Sequence, residues 1–180
     1  MKTKQMVLMS LNAALLTASA WIAVPLPFSM VPLSLQSFWI IFMALVFPLK
    51  TAMGSVGLYI LLGCIGLPVF AKGQSGLSVL FGPSGGYLIG FIFAISMIYY
   101  VRTRWTNLQG YTVAAFLGGI GIVYLFGVTW LAFILNMTHL QAFMVGAIPF
   151  MAGDMIKVML AAYLAYRMKS LSLRLHQTLS

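Results

Sequence analysis

Asp154 and Lys157 are where chemistry could start. Asp154 is the only acidic residue in a chain of 180, and Lys157 stands three positions further on, inside an apolar run. Residues three apart share a helix face, so the carboxylate and the ammonium can meet. If that helix crosses a bilayer from Pro149, a rise of about 1.5 Å per residue puts Asp154 roughly 7 Å and Lys157 roughly 12 Å deep. Each charge costs about 2.5–3.5 kcal/mol at mid-bilayer on insertion scales, and charges inside spans mark function by default. Two readings stay open. The pair either locks its helix against neighbours, or it forms a buried polar site whose cation meets an anionic group and whose carboxylate accepts ligand N–H groups. A helix start close by favours an anion as well.

Other residue types exclude chemistry. There is no G-x-x-x-x-G-K-[ST] phosphate loop, so ATP hydrolysis by that route is absent. One carboxylate cannot serve as a general acid and base pair. His139 and His176 are expected on opposite sides of the membrane, and Cys64 lies in an apolar run. They form no expected metal cluster, and a single cysteine forms no intramolecular disulfide. The chain is not expected to be an enzyme, nor to carry a cofactor.

The elements that must position Asp154 and Lys157 are membrane helices. Of the residues, 62% are apolar and only 6% charged, against about 25% charged in a soluble domain. The net charge of +9 comes without a clustered basic stripe and aromatic platforms, which argues against nucleic acid. Six segments approach the roughly 20 apolar residues that a span needs. They run from about Met6 to Val24, Leu33 to Leu49, Thr51 to Leu67, Gly85 to Val101, Gly110 to Leu135 and Pro149 to Arg167. Pro48 separates the second from the third by a tight turn. No cleavable signal peptide, internal repeat or soluble domain is expected, so residues 1–180 form one unit.

Lys and Arg set the orientation. Six spans put Lys2, Lys4, Lys50, Arg102, Arg104, Arg167, Lys169 and Arg174 on one side and only Lys72 on the other, so both termini are expected to be cytoplasmic. The outward connections are the distinctive ones. The first, Pro25 to Pro32 and including Phe28, is proline-rich and apolar. The second, about Pro68 to Ser84, is the longest irregular stretch, and long loops are often lids. The third, around Asn136 to Gln141, is short.

Several residues near these connections have two readings. Gly82, Ser84, Gly85 and Tyr87 belong to a plain helix-start turn or to a loop end closing over a ligand, with glycine permitting close backbone approach. Gln36 either caps the second span or bonds a ligand. Tyr87, Trp21, Trp39 and Trp130 read first as anchors or packing. Ala14 and Ala18 form a small-x-x-x-small pair, serving packing within the chain or docking to a membrane partner.

Three stretches together resemble the BioY family, the biotin-binding S-components of energy-coupling factor (ECF) transporters. They are Val31-Pro32-Leu33-Ser34-Leu35-Gln36, Gly82-Pro83-Ser84-Gly85-Gly86-Tyr87-Leu88-Ile89-Gly90-Phe91, and Pro149-Phe150-Met151-Ala152-Gly153-Asp154-Met155-Ile156-Lys157. Ala152 departs from an expected Pro and Lys72 from an expected Gly. The resemblance implies an all-α integral membrane protein, a bundle of six transmembrane helices with a long outward-facing lid loop between the third and fourth. It implies biotin as substrate, captured from outside across the plasma membrane. Its partners would be an energising module of two ATPases and a membrane coupling protein, which hydrolyses the ATP and docks on Ala14 and Ala18. Biotin's carboxylate would suit Lys157, and its ureido N–H groups would suit Asp154. The alternatives are an S-component for another vitamin and a structural membrane subunit without a ligand.

Overall fold

A computed structural model describes residues 3–27 and 29–169, with Leu173 and Gln177. Lys2, Phe28, Arg174 and His176 lie outside the described residues. Helix α1 spans Thr3–Trp21, α2 Gln36–Val46 and α3 Leu49–Cys64. A 3-10 turn at Ala71–Gly73 and the short α4, Leu77–Leu80, precede α5, Gly85–Arg104. Then come α6, Leu108–Phe116, a π-helical turn at Leu117–Ile122, and α7, Val123–Ile134. Finally α8 spans His139–Gly146 and α9 Ile148–Arg167. Among the described residues, three helices are by length and composition able to cross a membrane: Gly85–Arg104, Leu108–Ile134 and Ile148–Arg167. Gln36–Val46 and Leu49–Cys64 are apolar but shorter.

Local sequence accounts for most boundaries. Pro48 stands at the N-cap of α3, so the tight turn falls where proline forbids a continuous helix. Asn107 caps α6 by accepting the Gly110 N–H at 2.8 Å. Arg102 and Arg104 occupy the last turn of α5, where cations oppose the helix dipole. Arg102 is buried and donates to the carbonyls of Leu45 and Phe47 at 2.8 and 2.9 Å, satisfying the end of α2. Between the helices, Leu16, Ile40, Met43, Val56, Ile95, Ile98 and Leu131 are fully or almost fully buried. They form one apolar core with small Ala and Gly positions where helices approach closely.

The structure corrects three expectations. The purely α-helical class is amended by strands β1, Ala23–Val24, and β2, Leu33–Ser34, which pair antiparallel with Ala23 opposite Ser34. Prolines 25, 27 and 32 bias their preceding residues toward extended backbone, and a two-residue ladder has no periodicity to read. The second segment therefore begins its helix at Gln36 rather than Leu33. The third connection is not a bare short loop, because it carries α8. That helix opens with a capping box, the Thr138 hydroxyl accepting from the Gln141 N–H while the Gln141 side chain accepts from the Thr138 N–H.

The long connection from 65 to 84 is tied down. Trp21 donates its indole N–H to the Pro68 carbonyl at 2.8 Å, and the Gly76 N–H reaches the Gly63 carbonyl at 2.7 Å. The Phe70 ring fills the space that a Cβ on Gly63 would take and meets Tyr59 edge-on at 5.4 Å. Lys72 holds φ of 60°, a left-handed backbone that suits the glycine expected there.

Candidate binding site

Asp154 lies one and a half turns into α9, on its buried face. Lys157 follows one turn later, and its ammonium is 2.8 Å from Asp154 Oδ1. Ser37 in the first turn of α2 donates to the same oxygen at 3.1 Å. Tyr124 in the first turn of α7 donates to Oδ2 at 2.6 Å. The ammonium also donates to the Ser34 carbonyl at 2.6 Å and to the Ser37 hydroxyl at 3.2 Å. Its three hydrogens thus have three acceptors. The two charged side chains are 9% and 11% exposed, so the pair is nearly desolvated and its attached hydrogen bonds offset part of the burial cost.

These groups form one wall of a cavity of about 660 Å³, counting the space at its mouth. The cavity lies among β2, α2, α5, α7, α9 and the connection between α3 and α4. The surface facing the cavity is largely apolar, with Val31, Leu33, Phe70, Phe91 and Phe150 among the larger members, while nearly half of the lining residues carry a polar side chain.

Of the residues singled out from the sequence, Asp154, Lys157, Gln36, Ser84 and Tyr87 line this cavity together. Gln36 is not a helix cap. It is buried, and its amide donates to the Tyr59 hydroxyl at 2.8 Å. Tyr87 contributes its ring, while its hydroxyl donates to the Gly146 carbonyl at 2.7 Å. Ser84 precedes α5 without a side-chain capping bond. Gly82 and Gly85 stand outside the lining and serve close packing. A Cβ on Gly82 would sit 2.7 Å from the Ser78 carbonyl oxygen, and one on Gly85 would collide with that of Leu80. The Gly82 carbonyl accepts the Trp130 indole N–H at 2.9 Å, so Trp130 acts in packing as read. Ala14 and Ala18 are both exposed on α1, away from the cavity.

Sequence reasoning missed Ser37, Tyr124, Phe70 and Gln74. Ser37 adjoins Gln36 at a helix start, which is a usable signal. Tyr124 and Phe70 are ordinary apolar-run aromatics until the fold turns them inward. Asp154 and Lys157 also make a single polar spot. They do not form the two separated contacts that opposite ends of an extended ligand would require.

Helices long and apolar enough to cross a membrane, with a mostly apolar cavity carrying one buried ion pair, define a helical membrane protein with a small-molecule site. The model of the BioY family matches residues 1–174, and the chain belongs to that family. It is 38% identical over 168 residues to the biotin transporter BioY of Thermotoga maritima, covering 93% of this chain and 97% of that one. It is 34% identical to the biotin transporter BioY of Rhizobium etli, covering 91% and 92%. A crystal structure of the S-component for biotin from an ECF-type ABC transporter superposes with a TM-score of 0.86 at 27% identity. The match covers 94% of this chain and 95% of that one.

Proposed function

We propose that this chain is the biotin-capturing S-component of an ECF-type vitamin transporter. It is a transport subunit rather than an enzyme, and biotin is its cargo rather than a cofactor. The observation that carries the reading is the Asp154–Lys157 pair, held in the wall of a mainly apolar cavity. The family and the transporter names of its relatives support the same substrate.

The pair offers an acceptor and a donor side by side. A ureido edge presents the matching donor and acceptor, N–H toward Asp154 and C=O toward Lys157. Biotin's carboxylate, separated from that edge by a ring and a four-carbon chain, would then lie elsewhere, toward the mouth. Gln36, Ser84 and Tyr87 border the intervening space. Gly82 and Gly85 keep the entrance to α5 closely packed, and the connection from 65 to 84 closes over the ligand as a lid.

In this reading the chain sits in the plasma membrane as six spans with both termini cytoplasmic. Helices α1, α2, α3, α5, α6 with α7, and α9 fall on the six segments read from the sequence. The Lys and Arg distribution supports the orientation. Two ATPases and a membrane coupling protein supply energy, docking on the exposed Ala14 and Ala18. The deciding experiment is a melting assay of purified protein against a panel of vitamins. Biotin alone should raise the melting temperature, with about 2.7 kcal/mol of stabilisation at 100 times its dissociation constant. A different vitamin would make this an S-component for that vitamin, and no response would leave a structural subunit.

A further inference from the structure

Helix α6, the π turn and α7 form one rod whose buried positions come in pairs. These are Gly110 with Tyr111, Ala114 with Ala115, Gly118 with Gly119, Val123 with Tyr124, Gly127 with Val128, and Leu131 with Ala132, and within the π turn Ile120 is buried beside Gly119 as a third member. The groups begin four residues apart, except for a step of five from Gly118 to Val123, where the buried stripe is widened to three residues by Ile120. That step falls on the π turn at Leu117–Ile122. A π turn accommodates an extra residue and is common at functional sites. Without it, Tyr124 would point about 100° away around the helix. With it, Tyr124 is 8% exposed, reaches the cavity and donates to Asp154 Oδ2 at 2.6 Å.

The carboxylate has about four acceptor directions. Lys157 and Ser37 take two on Oδ1, and Tyr124 takes one on Oδ2. We infer that Tyr124 is a positioning residue for recognition: it fixes the Asp154 carboxylate so that one acceptor direction on Oδ2 stays open for a ligand N–H. This rests on the reading of Asp154 as the acceptor for biotin's ureido group. A merely structural role would have Tyr124 satisfy a buried charge without affecting what that charge presents.

The test uses the composition of the chain. Asp154 is its only acidic side chain, so aspartate labelled with carbon-13 at the side-chain carboxyl gives one reporter signal. The variant is Tyr124→Phe, which keeps the ring and removes only the hydroxyl. Its biotin affinity should fall about tenfold, in line with loss of one hydrogen bond to a charged group. Its ligand-free carboxylate signal should move from the wild-type position, and the displacement on adding biotin should shrink. Unchanged affinity overturns the proposal, and so does a loss of affinity with the free carboxylate signal where wild type has it. A wild-type protein that fails to bind biotin would instead overturn the substrate, and is read separately.

Discussion

The Lys157 ammonium lies 2.6 Å from the Ser34 carbonyl oxygen, tying α9 to the strand that closes the first connection. With Asp154 and Ser37 as its other acceptors, Lys157 has no hydrogen to spare. A ligand acceptor must displace one of them.

The first prediction therefore concerns which end of biotin meets Lys157. Biotin is compared with its neutral amide, which changes only the carboxylate. Lys157→Ala should weaken both ligands alike, by about 1.5–3 kcal/mol, the range for hydrogen bonds to charged groups. Calorimetry on the two proteins checks this. A preference for biotin over the amide that vanishes only in the variant would place the carboxylate on Lys157 instead. Breaking a buried pair costs about 3–5 kcal/mol, so folding is measured in parallel.

Topology is tested by labelling from outside intact cells. On a Cys64→Ser background, an impermeant thiol reagent should reach a cysteine at Lys72 and not one at Lys169. Labelling at Lys169 alone reverses the orientation.

Docking is tested on α1. Ala14→Trp combined with Ala18→Trp should impair biotin uptake by the assembled transporter while the isolated chain still binds biotin. Loss of both activities together would assign the face to folding instead.

Lys72 offers a prediction on stability. A left-handed backbone costs a residue with a Cβ roughly 1–2 kcal/mol. Glycine gives part of that back by enlarging the freedom of the unfolded chain, about 0.4–1 kcal/mol. Lys72→Gly should therefore stabilise the protein by about 0.5–1 kcal/mol, read from unfolding in detergent. Destabilisation would mean that the Lys72 side chain contributes more than its backbone costs.

What could be read in the sequence follows from how strongly each feature is penalised elsewhere. Charges in an apolar run are costly, so Asp154 and Lys157 stood out without a structure. Pro48 marks a helix boundary because its effect is local, whereas the Asn107 cap, also local, is not among the residues singled out. Tyr124 was not legible, because its direction depends on a five-residue step whose cause is distributed over Leu117–Ile122. The paired strands were equally hidden, since two residues carry no alternation. Helix α8 is legible in principle, because Thr138 and Gln141 have capping-box spacing.

Helix α2 is held at both ends by cations that reach main-chain carbonyls. Lys157 grips Ser34 just before it, and Arg102 grips Leu45 and Phe47 at its close. With 11 residues it is roughly 16 Å long, about half a hydrocarbon core. Longer helices answer a thicker or thinner bilayer by tilting. A short rod clamped at each end has no length to trade, so changes in lipid thickness should be taken up around α2, leaving Gln36 and Ser37 at a constant depth beneath the cavity.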